Sequence, residues 1–311
     1  MYRICFQAGF ALLVFVSACQ TDLKKSPVIS KTINANWTFN YLPNDAIRID
    51  FVDTAFDDSN WQAIALPHTW STYETTGDLH PFIANPSERD DPYWYQGWGY
   101  YRKHFSFDPS LKGKKVFVEF DAVQKYSKVY VNGKLVGDHK GGFTSFYFDI
   151  SDFVRWDGDN LMVVAASNRK NDELRIAPMS GGNWDIYGGI YRDVRLVIKD
   201  KLYIPFQGSY QHEGGVYITT PLVNEQNAVA VIKTYVKNDN EQAVNCQLTT
   251  TITDPDGALL QQLKQKATIL PGTLYCFEQH TDTLKNPRLW SPDSPVLVQG
   301  GHQPQPGWRR N

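Results

Sequence analysis

Cys19 is the side chain with the plainest chemistry. It follows Val16-Ser17-Ala18, at the end of an apolar run over residues 8–16 that Arg3 precedes. A basic start, a short apolar stretch and small residues before a cut site form a secretory signal. A thiol placed first after such a site is a substrate for diacylation, and the tetrapeptide ending at Cys19 resembles a bacterial lipobox. An ordinary cleaved leader with an incidental cysteine is the alternative. The stretch from Ile4 to Ala18 spans 15 residues and includes Gln7, short of the roughly 20 that a membrane helix needs. Residues 1–18 therefore read as a leader, and 19–32, polar with Ser26-Pro27, as a flexible tether. The protein is expected to be exported and anchored through acyl chains on Cys19. Gln20 in place of an aspartate after the cysteine leans towards the outer membrane or the periplasmic face.

Other reactive side chains are scattered. The 7 histidines show no metal-ligand spacing, and Cys246 and Cys276 have no close partners, so neither a metal nor a cofactor is expected. No glycine-rich loop follows a strand and opens a helix, which argues against nucleotides. The formal net charge of −2 comes without a basic stripe, which argues against nucleic acid. Cys246 shares strand parity with Val244, Leu248 and Ile252 and should face a core. Two buried free thiols and one Cys246–Cys276 disulfide both suit an exported chain. Acids are plentiful, 33 in all. Chemistry by paired carboxylates also needs a rigid frame that holds two of them about 5–5.5 Å apart.

The elements that must position these groups are strands. After the leader no useful 3.6-residue periodicity appears; short apolar runs alternate with turn signals, the all-β pattern. The clearest piece is Lys128-Val129-Tyr130-Val131-Asn132-Gly133-Lys134-Leu135-Val136-Gly137. An Asn-Gly pair between two strand-like runs marks a hairpin, because both central positions of its turn need positive φ. Val116 to Phe120, Phe146 to Ile150 and Leu161 to Ala165 supply further strands. Together they indicate a jelly-roll sandwich over residues 33–200. Gly215 to Thr219, Val229 to Val236 and Val244 to Thr253, followed by the turn residues Asp254-Pro255-Asp256-Gly257, indicate an immunoglobulin-like sandwich over 201–298. Residues 299–311 show no alternation, and Pro304 and Pro306 exclude a central strand. This tail reads as a frameshift product or as a natural disordered end.

Six segments, in order, resemble glycoside hydrolase family 2, its β-galactosidases most of all. They are Leu66-Pro67-His68-Thr69-Trp70; Gly97 to Phe105 with Tyr101-Arg102; Val129 to Gly142 with Gly141-Gly142-Phe143; Asp159-Asn160-Leu161; Asp185-Ile186-Tyr187-Gly188-Gly189-Ile190-Tyr191-Arg192-Asp193-Val194; and Pro287 to Pro295. The resemblance covers about 260 residues and implies the two front sandwiches of a retaining, exo-acting glycosidase. The acid and nucleophile of such enzymes lie on a following (β/α)8 barrel of roughly 250 residues. The chain is therefore expected to be inactive alone and truncated before that barrel. Val296-Leu297-Val298 begins the family's next strand, and Gln299-Gly300-Gly301 departs from it.

The resemblance also implies a substrate site. The loop before Gly188-Gly189, residues 175–185, reaches the sugar in such enzymes. Asn183 falls where a carboxylate often meets a galactose hydroxyl, Trp184 is placed to stack on the ring, and Asp185 is placed to supply a carboxylate if the loop shifts. Turn-forming and inward-packing roles for the three are equally open. The expected ligand is a β-galactoside-type glycan, bound weakly or not at all by this chain. A surface lipoprotein that captures glycans without cleaving them is the alternative, and a separately made barrel a possible partner. Asn224-Glu225 imitates the family's acid-bearing pair but sits in a polar loop. His68, Arg102 and the Arg192-Asp193 pair read as structural.

Overall fold

A computed structural model describes residues 13–17, 28–42, 47–70, 97–169, 188–209 and 211–295. The chain divides into two compact units. One is Pro27–Lys199, and the other joins Met1–Ser26 with Asp200–Asn311. Among the described residues the regular elements are strands, apart from two short 3-10 turns.

The leader contributes β1 (Leu13–Ser17). Strands β2 (Ile29–Thr32), β3 (Trp37–Leu42), β4 (Gln62–Ile64), β5 (Trp98–Phe105), β6 (Lys115–Phe120), β7 (Tyr126–Val131), β8 (Lys134–Lys140), β9 (Phe146–Asp149), β10 (Asn160–Ser167) and β11 (Val194–Lys199) build the first sandwich. They form a six-stranded sheet in the order β4-β3-β5-β10-β7-β8 and a four-stranded sheet in the order β2-β11-β6-β9. Strand β2 shortens the expected tether. Residues 29–32 pair with β11 in register from Thr32↔Arg195 to Ile29↔Ile198, because the outer backbone groups of β11 would otherwise face water unpaired.

The Asn-Gly hairpin forms as expected, with Asn132 and Gly133 at φ +51° and +80°. Asn132 also ties the hairpin to the sheet. Its Nδ2 donates to Phe153 O and Asn160 Oδ1, each at 2.8 Å, and its Oδ1 accepts from Leu161 N at 3.0 Å.

The two sheets enclose a core that includes Trp37, Phe39, Tyr101, Phe120, Met162, Val164 and Ile190. Every residue of β10 is buried, more than one sandwich interior explains. The outer face of its sheet is covered by residues 47–61, whose Phe51, Val52, Phe56 and Trp61 pack on Tyr100, Tyr126, Tyr130 and Val163. Arg102, 1% exposed, fastens that cover. Its guanidinium donates to the carbonyls of Phe51 (2.6 Å), Asp53 (3.1 Å) and Phe56 (3.2 Å) and to Asp58 Oδ2 (2.9 Å). Its role is structural, as the sequence indicated.

The second unit contains β12 (Leu202–Tyr203), β13 (Val216–Val223), β14 (Asn227–Asn238), β15 (Val244–Thr253), β16 (Leu259–Ile269), β17 (Leu274–His280) and β18 (Leu284–Lys285). Strand β14 pairs with β12, β13, β17 and β18. Strand β15 pairs with β16 on one side and with β1 on the other. Burial in β15 alternates with period two: Cys246, Leu248, Thr250 and Ile252 face the core. Cys276 is a free thiol, so it is not joined to Cys246, and the disulfide weighed from sequence does not form. Cys276 sits on the partly open strand β17, whereas Cys246 lies within the core cluster with Leu248 and Phe277.

Candidate functional site

Two long stretches, 71–96 and 170–187, lie outside the described residues, and the structure describes the four residues that flank them, Trp70, Gly97, Arg169 and Gly188. Asn183, Trp184 and Asp185 lie in the second stretch, outside the described residues. The site is therefore built from its feet.

The feet are tied to one another. Gly97, at the return of the first stretch, donates its N–H to Asn168 Oδ1 at 3.1 Å, next to the departure of the second. Ile190 O, at the return of the second, accepts from His68 N at 2.8 Å, next to the departure of the first. Trp70 fills the space between them, 3% exposed. A Cβ added to Gly99 would lie 2.3 Å from its Cζ3, and one added to Gly188 would lie 2.0 Å from its Cε2. The indole thus rests against two glycines, and any larger residue at either position collides with it.

Gly189 has a different constraint. Its φ is +111°, and an added Cβ would fall 2.3 Å from Tyr101 Oη and 2.8 Å from His68 O. Only glycine suits both the backbone angle and the space. Its backbone forms a two-way bridge with Gln124, N to O at 3.0 Å and 3.3 Å. Lys125 N then donates to Ser167 O, and Gly141 N to Lys125 O, each at 2.8 Å. Tyr191 Oη donates to Gly142 O. The Gly141-Gly142 turn is thereby joined to the same end of the sandwich.

Tyr101 is the hub. It is fully buried; its hydroxyl lies 2.9 Å from His68 Nδ1 and accepts from Ile190 N at 3.4 Å. Burial raises the phenol's pKa, keeping it protonated, and lowers that of His68 to about 4. A neutral imidazole whose Nδ1 accepts the phenol proton satisfies all three groups. His68 is a structural histidine, as its sequence setting suggested. Because its folded pKa lies below the unfolded value of about 6.5, the unfolded chain binds the extra proton first. The His68 contribution is complete above pH 6.5 and declines as pH falls to about 4, by at most about 3 kcal/mol. Urea titrations at pH 7.5 and pH 4.5 should show this loss in the parent and its absence in His68→Gln.

Several described carboxylates serve structure. Asp58 engages Arg102. Asp121 grips Arg195 through both oxygens at 2.6 Å, with Glu119 and Asp193 each 3.6 Å from the same guanidinium. Asp193 also accepts from Asn34 Nδ2 at 2.8 Å, while Arg192 lies over the Tyr191 ring; these two neighbours take separate partners. Asp50, Asp57, Asp108 and Glu278 are all shifted to lower pKa, by hydrogen bonds from Arg48, Ser59 N, Ser110 N and Lys233 respectively. A general acid in glycoside cleavage needs the opposite shift. In the Asn224-Glu225 decoy, Asn224 Oδ1 accepts from the N–H groups of Gln226 and Asn227 and closes the β13–β14 turn.

Sequence reasoning found His68, Trp70, Gly188 and Gly189 through the family-like segments. It did not single out Gln124, which lies in no distinctive motif, and it met Asn168 only as the end of the strand that follows Asp159-Asn160-Leu161.

Comparison with known proteins agrees with this geometry. Residues 30–200 match the sugar binding domain of glycosyl hydrolases family 2, and residues 214–298 match a second domain of the same family. A β-glucuronidase of Formosa agariphila is 31% identical over 79% of this chain and 25% of its own length. A β-galactosidase of Thermoanaerobacter pseudethanolicus is 32% identical over 85% of this chain and 32% of its own. The solved structure of a Bacteroides uniformis β-glucuronidase superposes with a TM-score of 0.73 at 35% identity, covering 86% of this chain and 29% of that one. The chain thus spans between a quarter and a third of the length of these relatives. With residues 30–200 and 214–298 both matching its domains, the chain belongs to glycoside hydrolase family 2.

Proposed function

We propose that this chain is the sugar-contacting, non-catalytic front part of a retaining, exo-acting β-glycosidase, most like the β-galactosidases of its family. The observation that supports this reading is that the residues flanking stretches 71–96 and 170–187 are tied together at one end of the first sandwich, and Asn183, Trp184 and Asp185 belong to the second stretch. In this reading Trp184 stacks on a sugar ring, and Asn183 and Asp185 hydrogen-bond its hydroxyls. The acid and nucleophile come from a (β/α)8 barrel. Both galactosidases and glucuronidases occur among the relatives, so the sugar must be tested directly.

Titration of the labelled chain with methyl β-galactoside and methyl β-glucuronide, followed by nuclear magnetic resonance, makes that test. Millimolar galactoside should shift the Trp184 indole and the amides of residues 188–190, and glucuronide should shift them less. Shifts confined to residues 200–295, or none at tens of millimolar sugar, would remove the reading. A larger response to glucuronide would reassign the substrate.

We also propose that Cys19 anchors the exported protein to a membrane, on the strength of the leader sequence. Mass spectrometry of the membrane fraction should find an acylated N-terminal Cys19 in the parent and none in Cys19→Ser.

A further inference from the structure

We infer that Phe143, Tyr191 and Arg192 form a second subsite on the first sandwich, which takes an acidic sugar, carboxylated or sulfated, linked to the sugar that the chain contacts. This subsite rests on the proposed sugar-contacting role and adds to it the charge of a neighbouring unit in the glycan.

The guanidinium is available. Arg192 is exposed, and among the described residues no carboxylate pairs with it. Its neighbour Asp193 turns instead to Asn34 and Arg195, and Asp121 also holds Arg195 through both oxygens. Arg195 thus shows what an arginine held by acids looks like on this sandwich. Arg192 lies 5.5 Å from the centre of the Tyr191 ring. An arginine resting on a ring keeps its N–H fork for a carboxylate or a sulfate.

The platform beneath it is fixed. Tyr191 Oη donates to Gly142 O, which holds the ring that carries the guanidinium. Gly142 is pressed on Gln124: an added Cβ would lie 1.8 Å from Gln124 Oε1. Gln124 is bridged in turn to Gly189 through both backbone groups. Turn, ring and the return of stretch 170–187 therefore form one unit, so binding orders few new groups.

The same turn presents a ring to water. Phe143 follows Gly142 and is 63% exposed, and Thr144 and Ser145 beside it are exposed as well. A single exposed apolar residue is ordinary. One held by a fixed turn beside an unpaired guanidinium matches both parts of an acidic sugar, its apolar face and its anion.

Competition between three disaccharides for the full chain, followed by nuclear magnetic resonance, tests the subsite. The probes differ only in the glucose unit of lactose, which is unmodified, oxidised at C6 to the carboxylate, or sulfated at O6. At least one acidic probe should bind about fivefold or more tightly than lactose and shift the Arg192 Nε–H and Phe143 ring signals. Most of that preference should vanish between about 50 mM and about 500 mM salt. Arg192→Gln should bring all three probes within about twofold of one another, and Arg192→Lys should keep only part of the preference, since an ammonium lacks the fork. Phe143→Ala should weaken all three alike. Unchanged β5 and β10 amides show that each variant stays folded. A preference for the carboxylated probe alone assigns a uronate, and for the sulfated probe alone a sulfate ester. Equal binding of lactose and both acidic probes by the parent, or a preference that survives in Arg192→Gln, would overturn the subsite and leave the sugar-contacting role standing. Binding of no probe at tens of millimolar would remove both.

Discussion

Arg102→Met is expected to destabilise the first sandwich by about 3–5 kcal/mol, the usual consequence of removing one partner from a buried charge network. The guanidinium satisfies three backbone carbonyls and Asp58 at once, and methionine satisfies none of them. The carbonyls of Phe51, Asp53 and Phe56 would be left without this donor beside the ring cluster of Phe51, Phe56 and Trp61. Each buried polar group stripped of its partner costs about 1–3 kcal/mol. Residues 47–61 would lift from the sheet and expose Tyr100 and Val163. Urea unfolding followed by tryptophan fluorescence should show an early transition, because Trp61 reports on this cover. Arg102→Lys should recover only part of the loss, since an ammonium cannot span four acceptors in a fork. A midpoint within 1 kcal/mol of the parent for Arg102→Met would show that the cover holds without its clamp.

The second large effect is expected at Gly189. Gly189→Ala combines a positive φ with two collisions, one against the Tyr101 hydroxyl and one against a backbone carbonyl. Strain of this type costs about 1–3 kcal/mol, and overpacking a filled core adds about 1–3 kcal/mol more. A loss of about 3 kcal/mol or greater is expected in thermal or urea denaturation. Gly113→Ala is the internal control: its φ is +86°, but nothing lies within 4 Å of the added carbon, so it carries the strain alone. If the two variants lose the same stability, crowding at Gly189 is not what holds the foot of stretch 170–187. Should Gly189→Ala remain folded, its amides at residues 188–190 should exchange faster than the parent's. The bridge to Gln124 and the bond to His68 both depend on that backbone.

Much of the fold was legible because its signals are local. The Asn132-Gly133 hairpin follows from two adjacent residues that tolerate positive φ. Strand β15 was bounded at Val244 and Thr253 by period-two alternation and by the turn that follows. Other features depend on partners far away in sequence. The cover over residues 47–61 is irregular, and its clamp reaches across 46 to 51 positions to backbone carbonyls that carry no side-chain signature. Strand β2 escaped notice because Ile29-Ser30-Lys31-Thr32 is short and mostly polar; the free edge of β11 makes it a strand. The pairing of leader strand β1 with β15 was equally unreadable, because an apolar leader carries no mark of an acceptor edge. The Tyr101–His68–Ile190 hub joins three family-like segments, yet nothing in any one of them states that they meet. The segments gave the identity of the site's feet, and the fold supplied their contact.

Hydrolysis by the purified chain tests the central claim most directly. Nitrophenyl β-galactoside and nitrophenyl β-glucuronide would be incubated with contaminant-free protein and with buffer, and released nitrophenol followed over days. The prediction is no release above buffer with either substrate, because in the proposed reading the acid and nucleophile come from a (β/α)8 barrel. Turnover that co-purifies with the chain and disappears when one of its own carboxylates is changed to the amide would contradict the account.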